Sequence, residues 1–166
     1  MANYIANSTN SLTFYLNSDN EKIGELIYKK WYASNAEIKL TNGDTFQMKP
    51  KEIWNSKFEL KDGEKTILEF KLGWSGILIK TFFNDNEESY LLRMKGFPSY
   101  KFTLTDIEKR ELLVAVMDIK LNNLNYKYTI NTTDEFESIA NKDIIALSLL
   151  HCINYYINIT TIITAT

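Results

Sequence analysis

With 166 residues, 45% of them hydrophobic and 24% charged, the chain has the composition of one folded domain and not of a disordered segment. Nineteen basic and 21 acidic side chains give a net charge of -2, which argues against bulk electrostatic binding of nucleic acid while leaving room for a local basic patch. A single Cys and a single His exclude an intramolecular disulfide, CxxC motifs and the common zinc sites.

Met1 to Asn10 is polar and lacks the apolar stretch of a secretory signal, so it reads as an N-terminal tail (1-10) and the expected compartment is the cytoplasm. From Leu12 to Ile130 the dominant signal is period-two alternation broken by turn residues, as in short antiparallel strands with one apolar and one polar face. Ala36, Ile38 and Leu40 alternate with Glu37 and Lys39 before the tight turn Asn42-Gly43, and Phe58 and Leu60 alternate with Lys57 and Glu59 before Asp62-Gly63. Leu68, Phe70 and Leu72 follow, then Tyr90, Leu92 and Met94, then Tyr100, Phe102 and Leu104. Leu124, Tyr126, Tyr128 and Ile130 complete the set, which places barrel strands over 11-130. Thr105-x-x-Glu108 has the spacing of a capping box, so a helical turn is expected there. Glu111 to Ile119 reads as a strand with two apolar faces or as a short helix.

After an acidic, solvated lead-in (Asp134, Glu135, Glu137) within a linker over 131-142, the character changes. No charged residue occurs from Ile144 to Thr166, and apolar residues surround this segment on all sides. It is predicted as a helix over 143-160, with Asp143 as N-cap and Asn141 as the competing choice. A helix apolar all round is buried in protein or in lipid. Ser148, His151 and Asn154 interrupt the run, which favours enclosure by the sheet over a membrane span.

Few residues announce chemistry. His151 and Cys152 are adjacent, so on a helix they point about 100° apart and cannot form a nucleophile–base pair. Both are read as core residues. Gly73-Trp74-Ser75-Gly76 is one residue short of a nucleophile elbow and reads as a turn. Two basic sets are the candidate ligands for an anion or lipid headgroup. Lys29 and Lys30 precede Trp31-Tyr32. Arg93 and Lys95 share one strand face, and the Gly96-Phe97-Pro98 turn is expected to bring Lys101 beside them.

The order of these features resembles the tubby C-terminal-like superfamily, in particular its LURP-one-related and phospholipid-scramblase-like branch. The residues concerned are Lys22-Ile23-Gly24-Glu25, Lys30-Trp31, Ala36-Glu37-Ile38, Trp74, Tyr126-x-Tyr128-x-Ile130 and Asp143-Ile144-Ile145-Ala146-Leu147. The resemblance spans about Leu12 to Ile157 and implies a mainly β fold, a closed antiparallel barrel of about 12 strands around a buried apolar C-terminal helix. Members of that superfamily are linked to phosphoinositide-bearing membranes, to lipid scrambling or to no known activity. Neither the lipid-binding motif of tubby proteins nor a scramblase-like calcium site is matched residue by residue.

The expected function is therefore that of a non-enzymatic cytoplasmic, peripheral-membrane domain that binds anionic phospholipid headgroups or a protein partner. No cofactor, metal or nucleic acid is expected. A barrel carrier of a small apolar ligand and a carboxylate-dependent hydrolase are the alternatives. The first depends on whether the helix fills the barrel.

Overall fold

The computed structural model describes residues 1–8, 10–30, 34–52, 56–95, 100–119 and 126–164. Twelve strands follow one another as an antiparallel meander, and the first pairs with the last to close a barrel. They are β1 (Asn3–Ser8), β2 (Thr13–Ser18), β3 (Glu21–Tyr28), β4 (Ala36–Leu40), β5 (Thr45–Pro50) and β6 (Lys57–Asp62). The second half is β7 (Lys65–Gly73), β8 (Gly76–Thr81), β9 (Glu88–Lys95), β10 (Lys101–Asp106), β11 (Glu111–Ile119) and β12 (Tyr126–Thr132). A short helix α1 (Asp134–Glu137) then leads into α2 (Lys142–Thr164).

The alternation does what its period requires. Leu26 and Tyr28 of β3, Ile38 of β4, Phe46 and Met48 of β5, Phe58 and Leu60 of β6, and Leu68 and Phe70 of β7 all face inward and are buried. Closure leaves no edge strand. The segment read as a polar tail is corrected here: residues 3–8 are a barrel strand, paired with β12 through Tyr4↔Ile130 and Ala6↔Tyr128. Its inward set is Tyr4, Ala6 and Ser8, too small and polar to stand out by composition.

The helix occupies the lumen. Ile144 to Asn154 are all buried, so the enclosed placement holds and the membrane-span alternative does not. Among the described residues no helix is long and apolar enough to cross a membrane. The carbonyl of Asn141 accepts from the Ile145 N–H at 3.1 Å, so the competing choice is the helix start, and Asp143 falls in the first turn. There its carboxylate still complements the helix dipole. Close approach of helix and wall depends on Gly24. A Cβ at that position would lie 2.6 Å from the Lys39 carbonyl oxygen and 2.9 Å from Leu147 Cδ1.

The expected helical turn after Thr105 is also corrected. The side chain of Asp106 accepts from both the Arg110 N–H (2.9 Å) and the Arg110 Nε–H (2.7 Å), and Lys109 adopts φ 66°, which makes a hairpin turn. Glu111–Ile119 is the strand alternative.

Candidate anion-binding end of the barrel

A meander that closes into a barrel sorts its connections by parity. Those leading from odd to even strands gather at one end, and those from even to odd at the other. The helix enters at the second end through α1. There Glu137 accepts from Tyr4 (3.1 Å) and also from Thr132 and Lys142. It leaves at the first end, where Asn154 meets Tyr28 and Tyr128.

Charge follows the same division. Within three residues of a strand terminus, the described residues of the helix-exit end include Lys29, Lys30, Lys49, Lys51 and Lys57. Lys71, Arg93, Lys95, Lys101 and Lys127 bring its basic residues to ten. Its acids, each charged residue being assigned to the nearer strand terminus, are Glu25, Glu37, Glu52, Glu59 and Asp118. The helix-entry end has seven basic and thirteen acidic residues by the same count. Pairing sharpens the contrast. At the entry end Lys22, Lys65, Arg110 and Lys142 each lie within 4.0 Å of a carboxylate. At the exit end Lys29, Lys71, Arg93, Lys95, Lys101 and Lys127 form no ion pair among the described residues.

The structure brings three of the predicted ligands together. Lys95 lies directly opposite Lys101 in the β9–β10 ladder, and Arg93 opposite Thr103. Arg93 and Lys95 are exposed and Lys101 is half-buried. Like charges directly opposite one another destabilise a strand pair, so this arrangement works against the fold unless an anion lies between them. Lys29 and Lys30 are exposed at the same end but follow β3, six places from β9 in the ring of twelve, so they face a different side. Trp31, Tyr32 and the Gly96-Phe97-Pro98 turn lie outside the described residues. Arg93 also borders a surface groove of about 460 Å³, together with Lys71, Leu78, Leu91 and Ile107. Leu78 and Ile107 are exposed there, so the cation stands beside an apolar floor.

His151 and Cys152 sit in the core. Burial pushes the thiol up and the imidazole down to about 3, so both are neutral at pH 7. Their surroundings form a directional chain of hydrogen bonds. Tyr128 donates to Asn154 Oδ1 at 2.6 Å, and Asn154 Nδ2 donates to the Tyr28 hydroxyl at 3.3 Å. The proton of Tyr28 is then directed to His151 Nδ1 at 2.9 Å. The histidine proton is left on Nε2, which has no hydrogen-bond partner among the described residues and lies among the rings of Phe58, Phe70 and Tyr155. This chain fixes the helix in the lumen.

The acidic lead-in is not uniformly solvated. Phe136 is buried, and burial alone would raise the Glu137 carboxyl, but hydrogen bonds from Lys142, Thr132 and Tyr4 outweigh it and hold it below the usual range. Among the described residues no three His, Cys, Asp or Glu side chains gather as a metal site.

Lys71 and Lys127 belong to the cationic end but were not among the residues singled out from sequence. Sorting charges by the parity of the turn they flank would have found them. The partnership of Tyr28, Tyr128, Asn154 and His151 has no such signal, because it joins Tyr28 to helix positions more than a hundred residues away. The chain matches no protein-family model, no curated protein and no solved structure.

Proposed function

We propose that this barrel is a non-enzymatic module that binds anionic phospholipid headgroups with its helix-exit end. Arg93, Lys95 and Lys101 take the phosphate, and Lys29 and Lys30 add attraction from another side of the rim. The concentration of cations at one end, with Lys71, Arg93, Lys95, Lys101 and Lys127 outside any ion pair among the described residues, in a chain whose net charge is -2, carries this reading. Each basic residue near an anionic leaflet contributes about 1 kcal/mol, so a cluster suffices for reversible, salt-sensitive docking. Arg93 adds a planar fork suited to two phosphate oxygens. Fully exposed Trp74, in the β7–β8 turn of the same end, suits the headgroup region. The reading agrees in kind with what the resemblance to the tubby C-terminal-like superfamily implies.

The test is co-sedimentation with vesicles of phosphatidylcholine alone and of phosphatidylcholine mixed with phosphatidylserine. The wild type should sediment only with the anionic vesicles and be released as salt shortens the screening length toward ~3 Å at 1 M. The variant R93E/K95E/K101E should stay in the supernatant with an unchanged melting curve. Equal sedimentation of wild type and variant would refute the assignment of these residues.

A further inference from the structure

The helix fills the lumen but not its mouth. At the exit end a cavity of about 390 Å³ remains between α2 and the wall formed by β2, β3 and β12. That is near the lower limit for small-molecule pockets, which run from about 300 to 1,000 Å³. Leu12, Phe14, Tyr126 and Ile157 give it apolar sides, and Tyr28, Tyr128 and Asn154 lie deeper.

We propose that this cavity holds one acyl chain of an anionic amphiphile, with the chain inward and the charged head at the rim. The sides are the first reason. Phe14 lies in ring contact with Tyr28, Tyr126 and Tyr128 at 6.1–6.2 Å between centroids, so this wall is a continuous aromatic surface. The deeper polar atoms are the second. The hydroxyls of Tyr128 and Tyr28 and the Asn154 amide bond to one another and to His151, so each of these polar atoms keeps a partner when an apolar chain lies against them. The rim is the third. None of the described lining residues is acidic. Lys29 and Lys30 directly follow Tyr28, and Lys127 stands between Tyr126 and Tyr128 with its side chain exposed. An anionic head is the complement of that rim. This inference stands on the cavity, whereas the phosphate reading stands on the β9–β10 patch, and either can fail alone.

Isothermal titration of the whole chain with sodium octanoate, decanoate and dodecanoate, and with the matching alcohols, tests it. Each added methylene should tighten Kd about fourfold, the equivalent of ~0.8 kcal/mol per buried CH₂, until the cavity is full and the gain stops. One molecule should bind per chain, and carboxylates should bind more tightly than alcohols. K29E/K127E should remove that preference. Leu12→Trp, which fills the mouth, should abolish binding of both series while R93E/K95E/K101E retains it; Ile157→Trp fills the same space from the helix if Leu12→Trp does not fold. Vesicles of phosphatidylcholine mixed with phosphatidylserine distinguish the source of the chain. Recruitment lost in Leu12→Trp assigns a membrane lipid, and recruitment unchanged in Leu12→Trp, or absent from the wild type, beside wild-type dodecanoate binding assigns a free fatty acid. Affinity that climbs without a plateau, more than one molecule per chain, or wild-type binding by a folded mouth-filling variant would overturn the proposal.

Discussion

The proton on His151 is assigned by its neighbours: Asn154 donates to Tyr28, Tyr28 donates to Nδ1, and Nε2 keeps the hydrogen. Burial holds this imidazole at about 3, against 6.5 when exposed. The folded state therefore refuses a proton that the unfolded chain accepts. Stability is fully present above pH 6.5 and falls as pH drops from there toward 3. One proton corresponds to a slope of ~1.4 kcal/mol per pH unit. His151 is the chain's single histidine, so urea midpoints between pH 7 and pH 5 isolate it from carboxylates that protonate lower. The stability difference between wild type and His151→Leu should shrink by that slope across the window; a constant difference would contradict the assignment. At Gly24 the constraint is steric. Gly24→Ala should cost ~1–3 kcal/mol in chemical denaturation, as overpacking usually does. Adding Leu147→Ala should not restore it, because the nearer obstacle is the backbone carbonyl of Lys39 at 2.6 Å.

At the scale of elements, α2 serves as the core of the barrel. Its buried run from Ile144 to Ile153 meets inward side chains such as Leu26, Phe58 and Phe70, and each large buried side chain contributes ~1.5–3 kcal/mol relative to exposure. Ending the chain after Lys142 should therefore give an aggregating product without cooperative melting, while the full chain melts in one transition. A soluble, cooperative truncation would refute that role. Much of this architecture was legible in the sequence, because burial on one face leaves period-two traces such as Ala36-Ile38-Leu40, and burial on every face leaves the uncharged run after Asp143. Strand β1 was hidden because its inward Ser8 and outward Ile5 blur the alternation. The turn at Asp106 was misread because the Thr-x-x-Glu spacing is local, whereas the outcome was set by Arg110 and by pairing with β9 and β11. At the candidate site, the proximity of Arg93, Lys95 and Lys101 followed from strand alternation and one turn. The mouth cavity did not, because its walls come from four separate stretches of chain.

Taken whole, the molecule is an electric dipole whose axis follows the barrel. A chain with a net charge of -2 and a sequence pI near 5.5 should pass a cation exchanger at pH 7 if its charges were evenly spread. With the basic residues concentrated at the helix-exit end, it should instead be retained on both cation and anion exchangers at low salt, where the screening length reaches ~30 Å. R93E/K95E/K101E should shorten retention on the first and lengthen it on the second. Flow of the wild type through the cation exchanger would show that the separation of charge is too weak to act at a distance.

The closure of β1 on β12 and the threading of α2 through the ring also set a timetable for biosynthesis. The first strand waits for a partner more than a hundred residues downstream, and the lumen waits for a helix that follows every strand. Such non-local contacts fold slowly, since loop closure precedes any gain from pairing. A nascent chain still short of α2 exposes the inner faces of all the strands already made, the kind of surface that chaperones hold. The barrel is thus a fold completed after its strands leave the ribosome, and interrupted synthesis should yield aggregates and not a smaller working domain.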